Sequence, residues 1–368
     1  MEPLSFATAL KNEAGWYCGD FHAHTNLSPD GYHSPDELVA VAEAAGMDFV
    51  SFTDHNNIDA ITRLEKQPSL LIIPGCEITL DEGHYNIFGV RGWEAWMDGI
   101  CDMKDDWVVE TNGRSLTDLV QITAEHGYLN AINHPLLVPW AWQPDDTPLG
   151  LLTAVEIIND PTWPDNAQEN PNAIAMWTRW LNDGHRITAI GGTDYHGTDR
   201  DNPAKGYYPR LNKPLTYVYA KELSINAIFH GVRKGWVYVS MGPKVSFTAM
   251  NEGQTRSIGD DLWIVNDERI CFTAQVDHAA PGQTGRIVHN GDIVAAWPIT
   301  SSSDLFSYEG RGQAGEPAWF RLEVVDEKGA YQVVTNPIFV EWRKRPSLTT
   351  FGDYVSVDRT PPPGMEND

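Results

Sequence analysis

The chain has 368 residues and a formal net charge of −25 at pH 7, and 42% of its residues are hydrophobic. That length is ample for a large core, and the composition is ordinary for a soluble globular protein. The negative charge argues against a nucleic-acid partner, because binding to a phosphate backbone needs a surface rich in Lys and Arg. No run of about 18 apolar residues occurs, so we expect neither a membrane-spanning helix nor a membrane partner.

The N-terminal residues and the cysteines indicate which cellular compartment to expect. Residues 1–16 contain no basic stretch followed by an apolar segment, so no secretory signal peptide is predicted. The four cysteines form no CxxC pair and therefore predict neither a disulfide framework nor a zinc ribbon. These features favour a cytoplasmic protein, with export and removal of a signal peptide as the alternative. Nothing in the sequence fixes the oligomeric state.

Strand and helix signals alternate through the first two-thirds of the chain. The first helix has the clearest signals: Ser34 as N-cap, Pro35 at the first position, Glu37 completing a capping box, and Gly46 as a stop. Strands are predicted at 17–25, 48–55, 70–79, 84–90, 128–135, 153–160 and 186–196, and helices at 34–46, 115–127 and 172–184. No GxGxxG loop follows the first strand. The pattern therefore predicts an α/β fold, a distorted (β/α)7 barrel, rather than an open sheet.

The pattern changes near residue 246. Short alternating segments separated by Gly, Asn and Asp follow, and Asn290-Gly291 is a strong hairpin signal. This pattern is typical of a β-sandwich. We therefore predict a catalytic barrel over residues 1–245, a small β-sandwich domain over 246–343, and an extended, flexible tail over 344–368.

Histidines and carboxylates cluster where the predicted strands end. His22 and His24 share one face of a strand because alternate residues point the same way, and Asp194 and His196 do so for the same reason. The other residues of this set are Asp30, His55, Glu77, His84 and His134. In a barrel the carboxyl ends of the strands converge on one mouth, where active sites form. We expect these nine side chains to meet there.

This combination of ligands predicts a metal site. Imidazole and carboxylate without thiolate suit Zn, Mn or Fe in a site that holds two or three divalent ions. Without cations, so many buried polar groups would be poorly solvated and mutually repulsive. For any single histidine, His84 above all, a structural role is the alternative, but that alternative explains the whole set poorly.

The order of these motifs resembles a known family. HxH at 22–24, a downstream Asp30, TDH at 53–55, NHP at 133–135 and a final DxH at 194–196 are similar to the polymerase and histidinol phosphatase (PHP) superfamily. The longer sequence segment from GGTDYHG at 191–197 to HNGDIV at 289–294 resembles the carbaryl-hydrolase-like (CehA/McbA) branch of that superfamily. The resemblance covers residues 17–245 closely and the C-terminal part more loosely.

The resemblance implies a division of the nine ligands among three ions. His22, His24, Glu77 and Asp194 would hold the first ion, and Asp30, His55 and His196 the second. Glu77 as a bridge, together with His84 and His134, would hold the third. Many family members have histidine where this chain has Asp30. Aspartate at that position keeps a ligand atom, and we expect it to alter which metal the site prefers.

Further residues are candidates for supporting roles. Asp20 and Asp54 are expected to orient the imidazoles, with a plain folding role as the alternative. Substrate binding is predicted for residues in segments that follow barrel strands: Trp140, Trp142, Arg200, Lys205 and Arg210. Basic residues could bind an anion, and tryptophans could line a pocket, or either group could be ordinary surface and packing residues. If only two ions bind, His84 or His134 could act as the general acid.

These observations predict a metal-dependent hydrolase acting on a small molecule. We favour a phosphoesterase that uses a metal-bridging hydroxide on a phosphomonoester or phosphodiester, because the ions make the site locally positive. A carbamate, amide or ester hydrolase with the same site is the alternative. A third hypothesis is an inactive metal-binding domain whose β-sandwich is an interaction module.

Overall fold

The computed structural model describes residues 6–101, 109–202, 204, 206–264, 268–355, 357 and 359. Its α-helices are α1 (Pro35–Ala44), α2 (Leu116–Glu125), α3 (Asn166–Asp183) and α4 (Ile225–Lys234). Its strands are β1 (Gly15–Asp20), β2 (Phe49–Phe52), β3 (Leu71–Leu80), β4 (Gly83–Phe88), β5 (Leu129–Ile132), β6 (Ala154–Asn159), β7 (Thr188–Gly192), β8 (Leu215–Ala220), β9 (Val237–Ser240), β10 (Lys244–Asn251), β11 (Gln254–Ser257), β12 (Asp261–Leu262), β13 (Glu268–Asp277), β14 (Thr284–His289), β15 (Asp292–Pro298), β16 (Ser303–Gly312), β17 (Ala318–Val325), β18 (Tyr331–Thr335) and β19 (Ile338–Val340).

Local sequence signals set the ends of the first two helices. The Ser34 hydroxyl accepts a hydrogen bond from the backbone N–H of Glu37, and the Glu37 carboxylate accepts one from the Ser34 N–H. Ser115 and Asp118 form the same reciprocal pair at the start of α2. Both pairs satisfy backbone N–H groups that a helix start leaves free. The predicted capping of α1 is confirmed.

The first part of the chain is a mixed α/β unit with a curled sheet. Strands β1, β2 and β3 are parallel, as are β5, β6 and β7, whereas β4 runs antiparallel between the two groups. The sheet curls until the segment after β7 meets the segment after β1. There Asp194 N–H donates to the His22 carbonyl and His24 N–H donates to the Tyr195 carbonyl, both at 2.9 Å.

The helices are fewer than seven βα units require. The described residues contain four α-helices, and strands β3 and β4 are joined by a two-residue turn without a helix. An antiparallel pair needs only such a short turn, whereas a parallel pair needs a long crossover. The mixed α/β class is confirmed, and the regular (β/α)7 repeat is not what these elements show.

The second part of the chain is β-rich and continuous with the first. A four-stranded sheet has the order β11-β10-β13-β16, while β18 extends the large sheet by pairing with β9. Phe272 and Phe320, from the two sheets, lie 4.3 Å apart between ring centroids in one shared core. Asn290 and Gly291 form the predicted two-residue hairpin turn between β14 and β15, and both have positive φ.

The two parts of the chain also share a buried contact at α3. The Arg321 side chain is 3% exposed, and its guanidinium lies 5.1 Å from the Trp177 ring and 5.2 Å from the Trp319 ring. It donates to Glu323 at 2.7 Å and to the Thr178 hydroxyl at 2.9 Å. The two parts are therefore packed together rather than merely tethered.

A C-terminal strap (residues 347–355) crosses the first part of the chain. Its short 3-10 helix, Phe351–Tyr354, buries the Phe351 ring completely, and Thr350 pairs with Pro148 as an isolated bridge. The sequence predicts an extended, flexible tail over this region, because a polar stretch gives no periodic signal. The strap instead packs against the molecule. Within the described residues, no helix has the length and apolar character needed to span a membrane.

Candidate metal centre

The nine predicted ligands come together at the mouth of the curled sheet. His22 and His24 follow β1, His55 follows β2, and Glu77 and His84 lie within β3 and β4. The remaining four are Asp30 in the loop after β1, His134 after β5, and Asp194 and His196 after β7. Four groups of three among these residues place one ligand atom each within 4.8 Å of one another. The structure thus brings the whole set into one cluster.

Glu77 is the centre of the cluster. Its carboxylate is fully buried and lies 2.7 Å from Nδ1 of His55, 3.1 Å from Nε2 of His22 and 3.4 Å from Nδ1 of His84. Nε2 atoms of His134 and His24 lie at 3.6 and 3.7 Å. One carboxylate surrounded by five imidazoles can bridge more than one ion.

Asp194 closes one side of the cluster. Its Oδ1 lies 3.2 Å from Nε2 of His22 and 3.1 Å from Nε2 of His24. Asp194 has φ of +51° and His134 has φ of +27°, values that side-chain-bearing residues rarely adopt. Such backbone geometry is concentrated at functional sites, where the surroundings hold it in place.

Asp30 lies on the other side, between two imidazoles and a cation. Its carboxylate is 3.6 Å from Nε2 of His55 and 3.2 Å from Nε2 of His196. The Arg200 guanidinium also donates to this carboxylate. Asp30 can therefore contribute to a site with His55 and His196, as the family resemblance implies, and the contact with Arg200 was not expected.

The donor atoms fit divalent cations. Nε2 of His22, His24 and His196 and Nδ1 of His84 are buried and, within the described residues, have no hydrogen-bond partner. Buried polar atoms are normally satisfied, so unpartnered nitrogens grouped around carboxylates indicate missing ligand bonds. Imidazole and carboxylate together suit Zn, Mn or Fe, and several divalent ions are compatible with these groups.

The pKa shifts follow from burial and from neighbouring charges. Burial alone would raise the pKa of Glu77, but the imidazoles of His22, His84 and His55 hold that pKa well below its usual value. Burial and the neighbouring His196 and His55 lower the pKa of His24. Burial also lowers the pKa of His84. Burial would lower the pKa of His22 and of His55, but the neighbouring carboxylates raise both pKa values. Metal binding requires ionised carboxylates and neutral imidazoles, so bound cations would displace protons from such imidazoles.

Glu156 is a functional residue that the sequence interpretation missed. It is 2% exposed, its Oε1 lies 3.1 Å from Nδ1 of His22, and its Oε2 accepts the His134 backbone N–H at 2.8 Å. Oε2 also accepts from the side-chain amide of Asn159 at 3.1 Å. The available signal was a single charged residue inside the otherwise apolar stretch at 153–158, where buried carboxylates are rare unless paired.

Asp20 and Asp54 support the cluster through neighbouring groups. Asp20 accepts the backbone N–H of His22 at 2.9 Å and also the Thr193 hydroxyl. Asp54 accepts the Ser28 hydroxyl at 3.0 Å, and that hydroxyl lies 2.9 Å from Nδ1 of His24. Asp20 therefore acts on the backbone of His22, and Asp54 acts on His24 through the Ser28 hydroxyl.

Two polar neighbours of the cluster were not foreseen. The side-chain amide of Asn133 donates to Oε1 of Glu77 at 2.6 Å, and the Thr79 hydroxyl lies 2.7 Å from Nδ1 of His55. Both residue types are common in strands and loops, so their composition gives no signal by itself. Their contacts fix the orientation of the central carboxylate and of one imidazole.

A cavity of about 970 Å³ opens from the cluster. Trp140 and Arg200 line it, as the sequence predicts. Trp142 does not, because its ring is completely buried and its indole N–H donates to the Thr147 hydroxyl. Trp142 follows the strand end by enough residues for the chain to turn back into the core.

The remaining predicted substrate residues lie away from the cavity or outside the described part. Arg210 is exposed, and its guanidinium pairs with Asp201 at 3.0 Å instead of lining the cavity. Lys205 lies outside the described residues. Arg200 is therefore the predicted cation that the structure places at the cavity, and it already contacts Asp30.

Comparisons with known proteins give a family match and similar solved structures. Residues 20–135 match the PHP domain family, a span that includes seven of the nine clustered residues. A two-domain protein from Bacteroides vulgatus ATCC 8482, described as containing a predicted PHP-like metal-dependent phosphoesterase, is 18% identical over 91% of this chain and 99% of its own, with a TM-score of 0.45. An amidohydrolase from Chromobacterium violaceum, with bound sulfate and no metal, is 14% identical over 48% of this chain and 87% of its own, with a TM-score of 0.32. No curated protein matches the chain.

Proposed function

We propose that this chain is a PHP-type metal-dependent hydrolase of the CehA/McbA branch that cleaves small phosphoesters. The observation that carries the proposal is the buried Glu77 carboxylate, which is surrounded by five imidazoles within 3.7 Å. Burying a carboxylate and five imidazoles together without cations carries a large desolvation cost. A purely structural role therefore does not explain this cluster. The match of residues 20–135 to the PHP domain family supports the same proposal.

Each member of the cluster has a proposed role. His22, His24, Glu77 and Asp194 hold one ion, and Asp30, His55 and His196 hold a second. Glu77, His84 and His134 hold a third, or the two histidines remain free and one of them donates a proton to the leaving group. Bound divalent ions supply Lewis-acid polarisation of the substrate and activate water at neutral pH.

Charge favours phosphorus over carbon as the reacting centre. The three proposed carboxylate ligands carry −3, so two or three divalent ions leave the cluster between +1 and +3. Arg200 adds a further positive charge at the edge of the cluster, from where its guanidinium can contact a phosphoryl oxygen. A compact anion matches this field better than an uncharged carbonyl compound does.

A carbamate, amide or ester hydrolase is the second candidate. The observation that favours it is the size and lining of the cavity, which includes Trp140, Trp163 and Leu80. Apolar walls of this kind accommodate a bulky organic group, and the same activated water can attack a carbonyl carbon. The two candidates share the metal cluster and differ in the bond that is cleaved.

The experiment that separates them uses one sample of the full chain. Bound metals per chain are measured by elemental analysis, and the same sample is assayed with p-nitrophenyl phosphate, bis-p-nitrophenyl phosphate and an aryl carbamate. Two or three metals with phosphoester turnover support the proposal. Turnover of the aryl carbamate alone would contradict the phosphoesterase and support the carbamate, amide or ester hydrolase.

Two other outcomes contradict the assignment in different ways. Metals without turnover of any of the three compounds would favour a metal-binding domain whose β-rich part is the interaction module. A chain that binds no metal after incubation with Zn, Mn or Fe would overturn the interpretation of the cluster itself. The complete set of nine ligands argues against both outcomes.

A further inference from the structure

The cavity is much larger than the reacting group of a phosphoester. Its volume is about 970 Å³, and the candidate ligands His55, His84, His134 and His196 line one end of it. A phosphoryl group bound at that end leaves most of the space free. The residues that line the remaining space therefore indicate which kind of alcohol group the substrate carries.

Three aromatic residues of the cavity lining contact one another. Trp140 and Trp163 lie 5.7 Å apart between ring centroids at 68°, and Trp163 and Tyr207 lie 5.3 Å apart at 88°. The rings of each pair meet edge to face and together form an aromatic corner in the cavity lining. Aromatic corners of this kind bind quaternary ammonium groups through the negative faces of their rings.

The charges beside these rings are negative. Asp160 and Asp165 flank Trp163 in the sequence, and both line the cavity together with Glu82. Asp160 is 4% exposed and accepts hydrogen bonds from the Thr162 backbone and hydroxyl, whereas Asp165 and Glu82 are exposed.

The cavity has little positive charge to offset these carboxylates. Among the described lining residues the one cation is Arg200, whose guanidinium is paired with Asp30 beside the cluster. Within the part of the lining that the structure describes, a second anionic group would face several carboxylates, and the one cation, Arg200, is already paired with Asp30. An organic cation there would meet both the aromatic faces and the carboxylates.

We infer that the outer space binds an organic cation, so that the preferred substrates are phosphoesters whose alcohol carries an ammonium group. This inference rests on the proposed function, since it assigns the anionic end of a zwitterion to the metal cluster. The aromatic corner of Trp140, Trp163 and Tyr207 receives the cationic end. Asp165 and Glu82 provide long-range attraction at the rim.

An isosteric pair of ligands tests the inference. Phosphocholine and 3,3-dimethylbutyl phosphate have the same shape, but a carbon replaces the quaternary nitrogen in the second. Binding of each to the metal-loaded full chain is measured by tryptophan fluorescence and by calorimetry. We expect phosphocholine to bind about five- to tenfold more tightly, the range that a cation–π contact with added carboxylates provides.

Variants connect the preference to the named residues. D165N and E82Q together should reduce the preference at least about twofold, and W163L should remove most of it. E65Q, an exposed carboxylate that does not line the cavity, is the control and should leave the preference unchanged. Equal affinity of the two phosphates, or a preference that persists in W163L, overturns the inference.

A second pair separates this inference from the proposed function. Choline and 3,3-dimethylbutanol lack the phosphate, so their binding does not depend on the metal cluster. A choline preference without phosphoester turnover supports the cation site and contradicts the phosphoesterase. Phosphoester turnover without a preference in either pair supports the phosphoesterase and contradicts the cation site.

Discussion

The imidazole of His22 is held between carboxylates on both of its nitrogens. Nδ1 lies 3.1 Å from Glu156, while Nε2 lies 3.1 Å from Glu77 and 3.2 Å from Asp194. A hydrogen on Nδ1, donated to Glu156, leaves the lone pair of Nε2 directed at the cluster. That is the arrangement by which buried carboxylates orient metal-binding histidines.

Replacing Glu156 should weaken metal binding without removing a proposed ligand. In E156Q a single amide oxygen must replace two carboxylate oxygens that accept from His22, from the His134 backbone and from Asn159. We expect the affinity for Zn or Mn to fall about 10- to 100-fold. Competition with a chromogenic chelator measures this directly and does not depend on turnover.

The matched control for this variant is an exposed glutamate. E65Q makes the same chemical change at a site remote from the cluster and should bind metal as the unaltered chain does. Metal affinity in E156Q equal to that in E65Q would show that Glu156 does not position His22.

Loss of a proposed ligand should abolish turnover and leave the fold largely intact. H22A and D194A each remove a group that contacts Glu77 or the surrounding imidazoles at the mouth of the sheet, and neither change inserts a larger side chain. The expected result is a circular dichroism spectrum like that of the unaltered chain, fewer bound metals, and no measurable kcat. An unchanged kcat in either variant would refute the metal assignment.

The C-terminal strap should contribute strongly to stability. Phe351 is fully buried and packs against Trp180, with 5.9 Å between ring centroids. F351A should lower the free energy of unfolding by about 3–5 kcal/mol, because it leaves a cavity in addition to losing buried area. Leu348 in the same strap is 42% exposed, so L348A is the control and should change stability by less than about 1 kcal/mol.

Binding of the strap should weaken in acid. Burial would raise the pKa of Asp183, but hydrogen bonds from Ser347, Tyr354 and the Leu348 backbone hold that pKa below its usual value. A depressed native pKa stabilises the fold above the unfolded value of about 3.9, and the stabilisation is lost as the pH falls towards the native pKa. The protection factors of the strap amides, which are exchange rates corrected for their intrinsic pH dependence, should therefore fall below about pH 4.

The D183N variant tests the origin of that acid sensitivity. It removes the titrating carboxylate, so the protection factors of the strap amides should be lower than in the unaltered chain at pH 7 and should change less on acidification. The same steep fall of the protection factors in D183N would assign the effect to another group.

A chain ending at residue 245 should not retain the properties of the intact molecule. Removing the β-rich part exposes the edge of β9, which pairs with β18, and uncovers Trp177 beneath Arg321 and Trp319. Exposed strand edges and apolar surface promote aggregation. We expect size-exclusion chromatography to show aggregates, and a monomer with full metal content would contradict this expectation.

The candidate site was more predictable than the architecture around it. The HxH and DxH spacings mark His22 with His24 and Asp194 with His196 as pairs, and the ends of β1 and β7 bring the two pairs together. Both pairs lie just beyond these strands rather than on a strand face, and Asp194 has a positive φ. Such local rules depend on a few residues. Glu156 was not predicted, because its role depends on contacts with His22 and His134, which lie at distant positions in the chain.

Two features of the fold could not be predicted from local patterns, and the physical reason is the same for both. Antiparallel pairing of β3 and β4 depends on a two-residue turn at Asp81-Glu82, whose composition does not distinguish it from a surface loop. The strap has no periodicity, because its binding rests on one buried ring and on hydrogen bonds to Asp183. Tertiary contacts of this kind override what local patterns predict.

The strap also connects the completion of the cavity to the order of synthesis. Its Phe351 N–H donates to the Thr147 carbonyl, and Thr349 accepts from the Leu149 N–H, in the segment that follows Trp140. During translation, domains generally fold as their residues emerge from the ribosome. The cavity wall cannot acquire its final support until the strap has emerged, about 200 residues after the wall itself. The wall of the cavity is therefore among the last parts of the molecule to be completed, only when synthesis of the chain is nearly finished.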